Sequence, residues 1–239
     1  MTAPESSTSY GGRDNLEAMK KATRYNDFLV DLVRRNSTGN KVLDHGAGAG
    51  TFATPISKSG LQVVCMEPDN DLRAELAASG LEVAADLADI PTSSVDYAYT
   101  LNVLEHIEDD AASIAELYRC LKPGGRLLVY VPAFQVLYSQ MDTHVGHFRR
   151  YRRKSLRQLL RTTGFDVGSA YYVDSLGFLA TLVYKLVGDR SGSVSPGSVS
   201  LYDTVIFPIS RVIDFLSFGS FGKNLTIVAS KPGDNAHDE

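Results

Sequence analysis

The sequence predicts an α/β fold, a mostly parallel sheet with helices packed on both faces. Three observations carry this. Short, nearly continuous apolar runs alternate with amphipathic segments, and strands apolar on both sides are strands buried on both faces. A glycine-dense turn, "GAGAG" at 46–50, separates the first such run from the helix after it. A Pro-Gly-Gly stop at 123–125 closes a helix before the fifth run. Parallel neighbours need crossovers, and the intervening helices supply them.

From Leu16 to Arg35, the residues Leu16, Met19, Tyr25, Phe28, Leu29, Leu32 and Val33 recur mainly at three- and four-residue steps, an amphipathic helix in one piece or two. "KVLDH" is a buried strand, and a helix begins near Thr51 after the glycine turn. "LQVVCMEPD" is the second strand, followed by the helix "DNDLRAELAASG". "LEVAADLADIP" is a short strand entering a loop, and "SVDYAYTLNVL" is the fourth. "EDDAASIAELYRCLKPGG" is a helix with acids in its first turn, where the helix dipole favours them, and "GRLLVYVPA" is the fifth strand.

The pattern changes after Ala133. A loop rich in His, Arg and Tyr leads to the helix "RKSLRQLLRTTG" and the strand "FDVGSAYYV". Residues 176–218 hold two apolar helical segments joined by the Ser/Gly linker "RSGSVSPGSVS", expected to be mobile, and "NLTIVASK" is the last strand. Segments 134–152 and 176–218 are expected to add a cap at the sheet's carboxyl edge, where ligands bind in open α/β folds. Residues 1–15 and 232–239 are expected to be disordered, leaving one domain over 16–231.

Composition narrows the class. The chain has 239 residues, 44% apolar and 22% charged, which suits one soluble domain with a large core. A net charge of −4 argues against a nucleic-acid partner. Cys65 and Cys120 lack CxxC spacing, so neither a metal knuckle nor a disulfide framework is expected. With no apolar leader in the first fifteen residues and no run of roughly 18–20 apolar residues, a cytoplasmic protein is expected.

Glycine in regular structure costs about 0.5–1 kcal/mol relative to alanine, so something is expected to approach the backbone at 46–50. A turn between a first strand and a first helix lets a ligand reach the helix amino terminus. A dinucleotide fingerprint is G-x-G-x-x-G, whereas Gly46, Gly48 and Gly50 follow G-x-G-x-G. The acid in front, Asp44, suits a cation better than a pyrophosphate. S-adenosylmethionine carries both an α-ammonium and a sulfonium.

On these residues the chain resembles the class I S-adenosylmethionine-dependent methyltransferases. "VLDHGAGAGTF" resembles their first motif, and "VVCMEPD", "AADLADIP", "LNVLEHIED" and "LKPGGRLLVYVP" follow in the family's order over roughly residues 25 to 231. The resemblance implies a Rossmann-like sheet of seven strands, the last antiparallel, with a helical cap insertion. It also implies S-adenosylmethionine as cofactor, held by Asp44, Gly46, Ala47 and Gly48, with Glu67, ahead of Pro68, on the ribose hydroxyls. Asp86 and Leu87 are then placed at the adenine, with Asp89 as a substitute for Asp86, and Asn102 near the methionine or ribose end. Tyr25 is expected either to cover the methionine end or to be a plain core aromatic. His45 departs from the small or aliphatic residue commoner there and is assigned to packing.

Residues 138–165, "YSQMDTHVGHFRRYRRKSLRQLLRTTGF", resemble the GH-x-RRY segment of a subgroup often found beside sugar- and lipid-modifying enzymes, as do "LYDTVIFPISRVIDFL" and "FGKNLTIVA". Methyl transfer is an in-line displacement in which positioning does much of the work, but an acceptor hydroxyl must still lose its proton. His144 and His147 are the candidate bases; the alternative is that they cap the loop. Arg149 and Arg150, flanked by Phe148 and Tyr151, suggest a pocket for a phosphate or carboxylate on the acceptor, whereas Lys154, Arg157 and Arg161 fit a solvated helix face. Tyr138, Arg149, Arg150 and Tyr151 are the expected acceptor-facing residues.

Glu105 and His106 resemble the pair by which some small-RNA and quinone-precursor O-methyltransferases hold a divalent ion. The acid three residues earlier is replaced by Asn102. Unless His144 or His147 joins, that ligand set is incomplete, and no metal is expected. The apolar segments 176–187 and 201–218 are read as a cap, with peripheral membrane contact or a dimer interface as alternatives. The expected activity is methyl transfer to a small or lipid-like acceptor, more readily at oxygen, with an anionic group on the acceptor allowed for. The alternatives are a non-catalytic S-adenosylmethionine-binding module and a nicotinamide-dependent oxidoreductase.

Overall fold

A computed structural model of the chain describes residues 21–187 and 196–233. Seven strands form one sheet: β1 (Lys41–His45), β2 (Gln62–Met66), β3 (Glu82–Ala84), β4 (Val95–Leu101), β5 (Leu121–Pro132), β6 (Asp166–Val173) and β7 (Asn224–Ser230). Their order is β3-β2-β1-β4-β5-β7-β6. The first five pair in parallel, and β7 runs antiparallel between β5 and β6. This is the seven-stranded sheet with an antiparallel last strand that the family resemblance implies.

Each central strand faces two cores, which explains its continuous apolar run. Leu43, Ala98 and Val129 pack with Ile114, Leu117 and Leu160 on one side. On the other, Val42, Tyr97, Tyr99 and Tyr130 meet Leu29, Val33 and Ile56. The first core is closed by α4 (Asp110–Cys120) and α6 (Arg153–Thr162), and the second by α1 (Thr23–Asn36) and α2 (Ala53–Lys58). Between them in the chain lie α3 (Asn70–Ala78) and the short α5 (Gln140–His144).

The cap consists of α7 (Ser175–Val187), α8 (Pro196–Leu201), a π turn (Tyr202–Ile206) and α9 (Phe207–Leu216). Three details differ from the sequence reading. Helix α8 begins inside the Ser/Gly stretch, because a proline at a first helical position sacrifices no hydrogen bond. Pro208, expected mid-helix, follows the π turn, where the lost N–H is absorbed by a wider turn. The carbonyl of Thr204, four residues before it, accepts instead from Arg24 Nη1 at 2.9 Å. Strand β5 also starts earlier than expected, at Leu121, so it contains the Pro-Gly-Gly stop, and a register shift in its pairing with β4 accommodates this. The expectations for 1–15, for the start of the first helix at Leu16 and Met19, for the linker up to Ser195 and for the tail from Asp234 lie outside the described residues.

Two buried carboxylates fasten the cap. Asp203 accepts from the backbone N–H of Arg24 (3.1 Å) and of Tyr25 (2.9 Å), two donors that the first turn of α1 leaves free. Asp214 accepts from the N–H of Asp174 and of Ser175, each at 2.9 Å, and from the Ser175 hydroxyl. Among the described residues no helix is long and apolar enough to cross a membrane.

Asp203→Ala is therefore expected to orphan two backbone donors, that of Tyr25 buried and that of Arg24 part-buried, and lower the unfolding free energy by about 1–3 kcal/mol, read from urea denaturation. A loss within measurement error would show that the cap is not fastened through α1.

Candidate functional site

The glycine turn follows from its hydrogen bonds. The N–H groups of Gly46 and Ala47 both donate to the Met66 carbonyl (2.9 and 3.1 Å), folding the chain tightly over the end of β2. Gly46 has φ +78°, and a Cβ there would come within 2.5 Å of the Val103 side chain. At Gly48, with φ +54°, a Cβ would meet nothing within 4 Å, so its backbone borders open space. The Gly48 N–H donates to Glu67 Oε2 at 2.7 Å, and the Asp69 N–H to Glu67 Oε1 at 3.0 Å. The acid at the end of β2 thus orients the turn at the end of β1.

Asp44 is 2% exposed, and its Oδ2 has no hydrogen-bond partner. Burial pushes its carboxyl up to about 7, with the Tyr99 hydroxyl opposing this and Glu67 adding to it. A carboxylate in that position is completed by a cation, and an α-ammonium fits. Asp86 is exposed and caps a 3-10 turn (Leu87–Asp89), accepting from the Ala88 N–H at 2.8 Å, while Asp89 accepts from the N–H groups of Ala85 and Asp86. Leu87 is buried and Pro68 exposed.

Asn102 has φ +55°, and its N–H donates to the Tyr130 carbonyl at 2.8 Å. Burial raises the Tyr25 hydroxyl to about 12, eased by hydrogen bonds with the Tyr130 and Asn102 side chains. The Tyr25 ring meets Phe207 of the cap at 5.3 Å. Tyr25 therefore joins the cofactor side to the cap and is also a core aromatic. His45 is buried, its nitrogens facing Thr100 Oγ1 (3.2 Å) and Ser113 Oγ (3.3 Å), and burial holds its pKa down at about 4.

A second centre forms where the GH-x-RRY segment crosses the ends of β4 and β5. The N–H of Tyr151 donates to the Pro132 carbonyl, that of Phe134 to the Tyr151 carbonyl, and that of Phe148 to the Glu105 carbonyl. Inside this loop lies Asp142. Its Oδ1 meets His147 Nδ1 and Arg150 Nε, both at 2.8 Å, and its Oδ2 accepts from Arg150 Nη2 and the Ser139 N–H. Burial opposes its ionisation, but the bonds from His147 and Arg150 prevail and hold it at about 2.

His147 Nε2 lies 3.9 Å from Glu105 Oε1, and its ring meets that of His106 edge-on at 4.6 Å. Glu105 is 1% exposed with neither carboxylate oxygen hydrogen-bonded, and burial pushes it up to about 8. His106 is held down at about 4 by burial and by His147. Glu105, His106 and His147 bring one ligand atom each within 4.8 Å of one another, so His147 is the residue that joins the Glu-His pair. His144 is exposed at the end of α5, apart from this group.

The remaining predicted acceptor residues all have internal partners. Arg150 is clasped by Asp142, and Arg149 bridges to Asp110 at 2.9 Å. Tyr151 donates to the same Asp110 at 2.7 Å. The Tyr138 hydroxyl donates to the His147 carbonyl at 2.6 Å. Tyr138 also lines an open surface cavity of about 490 Å³ with Ser139, Gln140, Thr143 and Lys185. Sequence reasoning missed Asp142, although it stands in the quoted segment five residues before His147. It also missed Lys223, Tyr202 and Asp174, which come together at the same edge.

Comparison with known proteins shows the family and the fold. A family model described as "Methyltransferase domain" matches residues 17–170. A Mycolicibacterium smegmatis protein named "Probable S-adenosylmethionine-dependent methyltransferase" is 30% identical over 184 residues, 74% of this chain and 70% of that one. A ubiquinone biosynthesis O-methyltransferase of Xanthomonas oryzae is 32% identical over 116 residues, 44% of this chain and 48% of that protein. Among solved structures, a Haemonchus contortus phosphoethanolamine N-methyltransferase 2 with S-adenosyl-L-methionine aligns with TM-score 0.62 at 17% identity, over 96% of this chain and 61% of that one.

The uncompensated Glu105 generates a pH-dependent prediction. Burial raises it to about 8, above the ordinary glutamate value of 4.5, so the folded state holds a proton that the unfolded chain releases, and stability falls as pH rises between those values. In chelating buffer, Glu105→Gln should remove that slope, being of the order of a few kcal/mol more stable than wild type at pH 8 and nearly equal at pH 5. Parallel urea midpoints at both pH values would contradict the assignment.

Proposed function

The chain belongs to the methyltransferase-domain family and takes S-adenosylmethionine as its cofactor; from that premise we propose that it methylates an oxygen of a small or lipid-like acceptor seated between the GH-x-RRY loop and the helical cap. When bound, the cofactor supplies an electrophilic methyl carbon on a sulfonium. Asp44 would take its ammonium, Glu67 its ribose hydroxyls, and Asp86 with Leu87 its adenine.

The observation that carries the choice of oxygen is the pair Asp142–His147. A carboxylate 2.8 Å from Nδ1 fixes the tautomer and leaves Nε2 to accept the proton of an acceptor hydroxyl. The partial likeness to an O-methyltransferase supports the same reading. Tyr151, Arg149 and Arg150 would then act by holding the loop that presents His147. That interlocked loop also supports assigning the chain to the subgroup that carries GH-x-RRY. A second reading keeps the reaction and changes the activator: a divalent cation on Glu105, His106 and His147 would polarise the acceptor hydroxyl, and the convergence of three ligand atoms favours it.

Calorimetry at pH 6 in two buffers of different ionisation enthalpy tests the cofactor assignment. Wild type should release close to one proton per S-adenosylmethionine bound, because Asp44, near 7 without ligand, must ionise to meet the ammonium. Asp44→Asn should bind more weakly and release none. S-adenosylhomocysteine formation with hydroxylated acceptors should fall about 10²–10⁴-fold in His147→Ala. Turnover with amines alone would overturn the choice of oxygen, cofactor binding without turnover would favour a binding module, and loss of activity on chelation would favour the cation.

A further inference from the structure

Lys223 stands immediately before β7, at the carboxyl edge of the sheet beside the end of β5. Its backbone is fixed on both sides: its N–H donates to the Asp174 carbonyl at 2.9 Å, and its carbonyl accepts from the Ala133 N–H at 2.8 Å. The side chain turns under the cap, with Nζ 5.4 Å from the centroid of the Tyr202 ring. Burial holds its pKa below the usual lysine value; Asp174 and Asp142 oppose that, and Arg150 adds to it.

Neither acid is free to pair with it. The Asp174 carboxylate accepts from the Gly177 N–H, the Ser210 hydroxyl and the Tyr202 hydroxyl. Asp142 is occupied by His147, Arg150 and Ser139. Among the described residues, no carboxylate comes within ion-pair distance of Nζ. Lys223 is half-buried at this edge, an enclosed ammonium with no carboxylate partner, so an anion entering beside it would complete its charge.

We infer that Lys223 binds an anionic group, a carboxylate or a phosphate monoester, carried by the acceptor. The inference rests on the methyltransferase reading and adds a substrate class to it. The wall from Lys223 toward the cofactor is aromatic: the Tyr202 ring lies 6.4 Å from Tyr25, and Tyr25 hydrogen-bonds with the Asn102 side chain. An acceptor anchored by its charge at Lys223 would lie along these rings with its nucleophile toward Asn102. Arg149 and Arg150, the cations that the sequence suggested for this task, already have carboxylate partners.

The test uses full-length protein saturated with S-adenosylhomocysteine, titrated with benzoate, phenyl phosphate and neutral phenol. Wild type should bind one of the anions at least tenfold more tightly than phenol, and the two anions separate carboxylate from phosphate recognition. Lys223→Met should lose that preference at least tenfold, Lys223→Arg should keep part of it, and S-adenosylhomocysteine affinity should be unchanged in both. Anions no tighter than phenol in wild type, or full preference retained in Lys223→Met, overturns the inference. The wild-type comparison stands whether or not a variant folds. Failure of wild type to bind S-adenosylhomocysteine would strike the cofactor reading instead.

Discussion

One buried carboxylate, Asp142, organises the loop that crosses the ends of β4 and β5, the proposed acceptor side of the molecule. It clasps Arg150 bidentately, holds His147 through Nδ1, and takes the Ser139 N–H that opens α5. Remove it and Arg150, with only 5% of its side chain exposed, becomes a buried unpaired cation. The loop that presents His147 then loses its reason to fold over β5. Buried ion pairs are weak sources of stability compared with apolar packing, but breaking one by deleting a partner is strongly destabilising. That asymmetry suits a loop that must hold one histidine in one orientation.

Around this satisfied centre stand three groups that are not satisfied. Asp44 has an orphaned oxygen, Glu105 has two, and Lys223 has no counter-ion. Each is held away from its ordinary pKa by burial, so each costs the folded chain stability. They share one edge of the sheet, and opposite charges are offered at its two ends. The buried carboxylates at the cap are matched: Asp203 and Asp214 each receive backbone donors, and Asp174 receives three bonds.

The cofactor half was legible because its signals are contiguous. Asp44 and the glycines lie in one turn, Glu67 ends the next strand, and the strand order follows from alternating apolar runs. The acceptor half was legible only in part. Arg149 and Arg150 stood out as cations in an acidic chain, but their partners lie 39 and 8 residues away, at Asp110 and Asp142, and no local pattern marks them. Lys223 was the less conspicuous residue, a single cation before an apolar strand. Its meaning depends on Asp174 and Tyr202, which the antiparallel return of β7 and the cap bring beside it. The π turn was equally hidden, since Pro208 suggests a break and only Arg24, from the other end of the chain, shows how its missing bond is replaced.

For the proposed transfer, burial serves the chemistry as well as the binding. His147 would hold the proton given up by the acceptor oxygen, and the sulfonium that the cofactor would supply would meet that oxygen as an opposite charge, the products being a neutral thioether and ether. Charge is dispersed on the way to the transition state, so a poorly solvated chamber favours the reaction more than water does. The same chamber would bind a charged acceptor badly unless it offered a fixed counter-charge away from the reacting atom. Asp44 would offer that counter-charge to the cofactor and Lys223 to the acceptor. A site built this way must be closed to water while it reacts and must open to exchange ligands. That places the burden of turnover on the cap, whose grip on the rest of the molecule passes through Asp203 and Asp214.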